Sequence, residues 1–275
     1  LWTHMVGGPC EWCGFARFDV AGEVEIVIEV AEDFERVEIL PRSAGIVPEV
    51  RGRTLHFRMS TPRFLTLCLD DKDAQPLHLF ARKPENAPPS AADPNVIYFG
   101  PGEHFVDTLP VRSGQTVYLH GDAVVYGVLP AGVRGVLSPR INRVVYSGAI
   151  LDVTDAEDVR ICGRGILDGS LMPHLGRNSI RLIRSRRIRI EGITLRNAAN
   201  WHLPIIDCDE VLVEGVSGLS GRLNSDGINC VSSRRVIVRD CFMRTHDDTY
   251  AVKTTVPGRP SDDILYEGCQ AWNDW

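Results

Sequence analysis

Five short β-branched runs recur along the second half of this sequence and restrict its fold more than any other feature. They are "VRICGRGIL" from Val159, "IRIEGITL" from Ile188, "VLVEGVSGL" from Val211, "VIVRDCFM" from Val236 and "ILYEGCQA" from Ile264. With Gly163, Gly192, Gly215, Asp240 and Gly268 taken as the shared position, successive copies lie 29, 23, 25 and 28 residues apart. A loose period in the twenties, made of strands and turns with almost no helical spacing, is the mark of a parallel β-solenoid. One coil of such a structure cannot bury its inner face alone, so coils stack at ~4.8 Å and share one core. A β-sandwich with coincidental spacing is the alternative, and it leaves five copies with matching apolar positions unexplained.

The first part of the chain reads differently. Residues 15 to 82 hold "FARFDVA", "EVEIVIEV", "RVEIL", "TLHFRM", "RFLTLCLD" and "PLHLFA", several of them alternating polar and apolar side chains between breaks of Gly, Pro or Asp. That pattern predicts a small antiparallel β-sandwich over residues 1–82. The stretch "RKPENAPPSAADP" has four prolines among Ala, Ser and Asn and reads as a linker over 83–94. The β-helix is expected to occupy 95–275. The fold class is therefore all-β, a right-handed parallel β-helix preceded by a β-sandwich.

Composition narrows the function. Hydrophobic content of 44% and charged content of 24% are globular values, and the net charge of −6 argues against nucleic acid as a partner. No apolar run approaches the ~18 residues of a membrane span, so no membrane partner is expected. The start, "LWTHMVGGPC", shows no signal peptide. Of eight cysteines only Cys10 and Cys13 form a C-x-x-C, and no second pair or nearby histidines complete a zinc site, so no metal is expected there. The other six sit singly in apolar runs, as small buried hydrophobes do.

The chemistry concentrates in "RLNSDGINCVSSRRVIVRDCFMRTHDDTYAVK". Asp226 precedes one strand-like run, and Asp247 with Asp248 precedes the next, one coil later. In "DGINCV" the apolar alternates are Ile228 and Cys230; in "DTYAVK" they are Tyr250 and Val252. Alternation turns Asn229, Ala251 and Lys253 outward and leaves the aspartates where a turn enters each strand. Stacking then gathers three acids on one surface. Like charges raise one another's pKa, so one carboxyl can stay protonated while the others hold a water. Capping of turn amides or a calcium site is the bland reading of the same residues, and it explains one Asp per turn better than a matched pair plus one.

The order "GRGILDG" (163–169), "NAANWHL" (197–203), "NSDGIN" (224–229) and "HDDTYAVK" (246–253) resembles the β-helix glycoside hydrolases: the polygalacturonases of family 28 and the dextranases and isopullulanase of family 49. The resemblance implies an inverting hydrolase that needs no cofactor, acts on a polysaccharide or oligosaccharide, and works in a secreted or periplasmic setting. It implies Asp247 as general acid, with Asp226 and Asp248 as the base pair. Inverting enzymes generally hold acid and base ~6.5–9.5 Å apart to fit the water. Family 28 also expects a Gly-His-Gly one coil after the paired aspartates and then an Arg-x-Lys. Here "WNDW" stands at the first place, which is closer to family 49, and the second would fall after Trp275. The missing carboxylate grip leans the reading toward a neutral α-linked glycan.

Other residues carry less. Trp201 and His202 fall on the coil before Asp226, either to stack on a sugar or as a core aromatic with its satisfied histidine. Asn224 opens the NSDGIN motif. His246 abuts the acid pair and either tunes it or shapes the turn. Lys253 is placed to meet substrate hydroxyls or to serve as an ordinary surface lysine, and Asp274 would be a further acid on the family 49 pattern. The arginines of 177–196, seven against one glutamate, read as a solvated basic column on another side of the coil. Two rivals remain: a β-helix polysaccharide lyase, and a non-catalytic carbohydrate-binding solenoid.

Overall fold

The computed structural model describes residues 2–4, 12–70, 75–139 and 142–274. They form two compact units, Leu1–Asn86 and Ala87–Trp275, so the boundary falls inside the proline-rich stretch. Cys10 lies outside the described residues, while Cys13 is buried.

The first unit is a two-sheet sandwich. One sheet runs in the order Trp2–His4, Trp12–Asp19, Leu77–Arg82, Phe64–Leu69, Val37–Leu40; the other is Val24–Glu29, Thr54–Met59, Glu49–Arg51. Leu55, Phe57 and Met59 from one sheet meet Ile39, Leu65, Leu67 and Leu79 from the other in a shared core. Among the described residues the expected antiparallel pairing holds except at one place: Trp12–Asp19 runs parallel to Leu77–Arg82. Alternation reveals which face of a strand is buried but not which strand lies beside it, so this pairing has no signal in the pattern.

The second unit is a parallel β-helix of three sheets. Sheet A stacks Val96–Phe99, Thr116–Leu119, Glu157–Gly163, Arg186–Glu191, Asp209–Glu214, Arg234–Arg239 and Asp262–Glu267. Sheet B stacks Gly102–Val106, Ala123–Gly127, Ile166–Asp168, Thr194–Arg196, Ser217–Leu223, Phe242–His246 and Gln270–Asn273. Sheet C stacks Leu109–Pro110, Ala149–Thr154, Asn178–Ile183, Leu203–Ile206, Ile228–Val231 and Tyr250–Lys253. The chain passes from A to B to C and back to A in each coil. Val159, Ile188, Val211 and Val236 share one inward column with Ile161, Ile190, Val213 and Val238 beside it, all 2% exposed or less. Each such buried aliphatic side chain contributes about 1.5–3 kcal/mol.

The shared position of the repeat has a backbone cause. Gly163, Gly192, Gly215, Asp240 and Gly268 all have positive φ, from 51° to 120°, and turn the chain from sheet A into sheet B. Glycine adopts that conformation without penalty and aspartate tolerates it, which is why only these two types fill the column. A second positive-φ column, Asp155, Arg184, Asp207 and Ser232, turns sheet C into sheet A.

The expected basic column is instead a ladder of alternating sign. Along sheet A the stacked positions read Glu157, Arg186, Asp209, Arg234, Asp262. The bulged, positive-φ residues beside them read Asp158, Arg187, Glu210, Arg235, Asp263. Arg186 and Arg187 each reach Glu157 at 2.6 Å, Arg187 reaches Asp158 at 2.7 Å, and Arg234 reaches Asp209 at 2.9 Å. Arg186, Arg187 and Arg189 do lie on sheet A, a different side of the coil from the aspartate cluster, and stacking pairs Arg186 and Arg187 with acids one coil away. Arg181 instead lies in sheet C and Arg196 in sheet B.

Candidate active site

The register of sheet C aligns Leu203 with Ile228 and Ile228 with Tyr250. Two residues upstream, Trp201, Asp226 and Asp248 therefore occupy one column on three successive coils, and Asp247 precedes it. Backbone bonds hold the column: the His202 N–H donates to the Asp226 carbonyl at 2.7 Å and the Gly227 N–H to the Asp248 carbonyl at 2.8 Å. A Cβ on Gly227 would collide with the Thr249 carbonyl, so this close approach requires glycine.

Carboxylate oxygens of Asp226, Asp247 and Asp248 lie within 4.8 Å of one another. Asp226 is buried, Asp247 half-buried and Asp248 exposed. The Lys253 ammonium stands between two of them, 3.0 Å from Asp226 Oδ2 and 3.0 Å from Asp248 Oδ2, and 4.3 Å from the Trp201 ring centroid. Asn229 Nδ2 donates to Asp226 Oδ2 at 2.8 Å, and Asn224 Nδ2 to Asp247 Oδ2 at 3.5 Å. The Asp247 carbonyl accepts from Thr245 Oγ1 at 2.7 Å and Asn273 Nδ2 at 2.6 Å, which fixes the turn from both sides.

Lys253 holds Asp226 and Asp248 to one ammonium, while Asp247 is reached by Asn224. A metal cation attracted to the same oxygens would compete with that ammonium. Burial pushes the Asp226 carboxyl above the usual range; Asn229 and Lys253 oppose this, and Asp247 adds to it. Burial pulls Lys253 down, but Asp248 and Asp226 outweigh it and leave the ammonium above its ordinary range.

The structure thus brings Asp226, Asp247, Asp248, Asn224, Lys253 and Trp201 together. Three expected substrate contacts lie elsewhere. His202 is completely buried, and its Nδ1 lies 3.0 Å from the Asp226 carbonyl, so it holds the turn from beneath. Burial lowers its pKa to about 4, with that carbonyl opposing. His246 is buried as well, and its backbone N–H donates to Ser225 Oγ at 3.5 Å. Asp274 is buried, its carboxylate taken up by an ion pair with Arg244 at 2.7 and 2.9 Å. Asn229 is the residue that sequence reasoning placed outward without assigning it a part; its outward position three residues after Asp226 was the available signal. Val252, expected to pack inward, is 54% exposed because Tyr250–Lys253 is the edge strand of sheet C among the described residues.

A parallel β-helix with clustered carboxylates beside a half-buried aromatic on its B–C edge is the arrangement of a carbohydrate-processing solenoid. The chain belongs to the glycosyl hydrolases family 28, whose model matches residues 106–258. It is 26% identical over 179 residues to a protein named "Probable polygalacturonase" from Vitis vinifera, covering 58% of this chain and 36% of that protein. It is 28% identical over 116 residues to a polygalacturonase from Juniperus ashei, covering 35% of this chain and 23% of that one. The chain thus spans about a third or less of these relatives. The solved polygalacturonase from Erwinia carotovora shares its fold, with a TM-score of 0.56 at 17% identity, covering 64% of this chain and 55% of the other.

Proposed function

We propose that this protein hydrolyses a pectic polysaccharide by inversion, with Asp247 as general acid and Asp226 and Asp248 positioning and activating the water. The observation that carries this reading is the convergence of three carboxylates within 4.8 Å at stacked turns, in a chain that belongs to family 28. Asp247 is half-buried and faces the groove with Asn224 beside it, where it can protonate a leaving oxygen. Asp226 and Asp248 share the Lys253 ammonium, which favours the ionised Asp226 that a base requires. When a sugar hydroxyl or the attacking water takes over some of the Lys253 contacts, the two carboxylates are left free to accept a proton. Trp201 offers an apolar face for a pyranose ring.

Pectic substrate is favoured over the neutral glycan because the curated relatives are named polygalacturonases. Release of reducing ends from polygalacturonate, dextran, pullulan and arabinan tests it. Polygalacturonate should be cleaved well above the rest; preferential cleavage of a neutral glycan would restore the other substrate. Proton NMR of the first products should show inverted configuration. Retention would make one of the closely spaced aspartates a nucleophile.

A further inference from the structure

Three clustered acids repel a polyanion, so an acidic substrate needs positive charge elsewhere in the same groove. That charge is present on the B–C edge, toward the N-terminal coils. Arg222 lies four residues before Asp226 and reaches back over two coils. Its guanidinium donates to the Gly169 carbonyl at 3.1 Å and the Met172 carbonyl at 2.7 Å, passing the Asn197 carbonyl at 3.5 Å. His174 lies two residues after Met172 in the same loop. The next residue's carbonyl, that of Leu175, accepts from the Tyr146 N–H at 3.0 Å, which ties the loop to the hairpin carrying Arg143.

The charges here are not balanced. Asp168 is paired with Arg196, and Asp107 with Arg177. Among the described residues neither Arg222 nor Arg143 has a carboxylate partner, and the buried Nε2 of His174 has no hydrogen-bond partner. Burial lowers the pKa of His174, and the nearby Arg143 and Arg222 lower it further. Burial also lowers Arg222, which Asp168 opposes. A partly buried cation beside an unpaired imidazole nitrogen is costly, and one carboxylate would satisfy both. Guanidinium groups match carboxylate geometry, and the orphan nitrogen can donate to an oxygen.

We propose that Arg222, His174 and Arg143 form a carboxylate-binding subsite about 10 Å along the coil stack from Asp226, two coil spacings away, that receives a uronate ring of the polymer. This rests on the hydrolase reading above and adds to it the residues that select charge. Calorimetry with short galacturonate oligomers and their methyl esters tests it, on the full chain carrying Asp247→Asn to prevent turnover. The free acid should bind more tightly than the ester. Arg143→Gln and His174→Asn should each weaken the acid about tenfold while leaving the ester unchanged, since hydrogen bonds to charged groups are of that order. Equal binding of acid and ester, no binding of the acid, or variants that keep the full preference would each overturn the subsite. Loss of the hydrolase reading shows separately, as wild-type protein that releases no reducing ends from polygalacturonate, dextran, pullulan or arabinan.

Discussion

The outer face of sheet A and the B–C edge are both rich in charge, and they arrange it in opposite ways. On sheet A each stacked position changes sign from coil to coil, so Glu157 lies beneath Arg186 and Asp209 beneath Arg234. On the B–C edge Asp226 lies beneath Asp248, acid on acid, with one lysine between them. Alternating sign pairs every charge with its neighbours and penalises a one-coil slip. Stacking of like charge does neither, and a fold tolerates it only where the groups serve another purpose. The comparison separates a structural use of charge from a chemical one.

The largest effect should come from breaking the like-charged stack. Asp226→Asn, Asp247→Asn and Asp248→Asn should each lower turnover by ~10²–10⁴-fold with the fold intact, because each removes a positioned acid or base from a near-isosteric side chain. Turnover with circular dichroism on each variant checks this, and near wild-type rates in any one would remove that residue from the mechanism.

The next effect concerns the buried support of the stack. His202 stays neutral in the folded state down to about pH 4, whereas an unfolded histidine protonates near 6.5. The unfolded state therefore binds more protons in that window, and stability falls as pH drops from about 6.5 toward 4. The loss amounts to roughly 3 kcal/mol at the acid end. His202→Asn, which keeps a donor for the Asp226 carbonyl, should flatten this part of a urea-denaturation profile. An unchanged acid limb would show that another group governs it.

The smallest effect should come from the ladder. Arg187→Glu places an acid among Glu157, Asp158 and Glu210, and should lower Tm by no more than a few degrees, less still at high salt, with turnover unchanged. A marked fall in turnover would join the two faces functionally and remove the contrast drawn above.

Much of this contrast was legible in the chain itself. The repeat could be aligned because Gly163, Gly192, Gly215, Asp240 and Gly268 are held to types that accept positive φ. The aspartate cluster could be read because alternation placed Ile228 and Cys230 inward and left Asp226 at the turn. The ladder was hidden because the acids that neutralise Arg186 and Arg187 lie 29 residues upstream, and charge counted in a local window sees only arginines. Asp274 was misplaced for a related reason: its partner Arg244 is 30 residues away on a buried column of sheet B. The cationic recess depends on a side chain crossing two coils, which periodicity does not register.

The two positive-φ columns have one more consequence. Asp155 to Gly163, Arg184 to Gly192, Asp207 to Gly215 and Ser232 to Asp240 are each eight residues apart. The remaining arc, through sheets B and C, takes 21 residues from Gly163 to Arg184, 15 from Gly192 to Asp207 and 17 from Gly215 to Ser232. Across these four coils the sheet A side keeps a constant length, and the variation falls on the arc that carries the acid cluster. The next C-to-A corner departs from this, with Lys253 and Asp262 nine residues apart where Val231 and Arg234 are three apart. Insertions at either corner leave the stacking register of the strands intact, so a loop can lengthen while the stack beneath is kept unchanged.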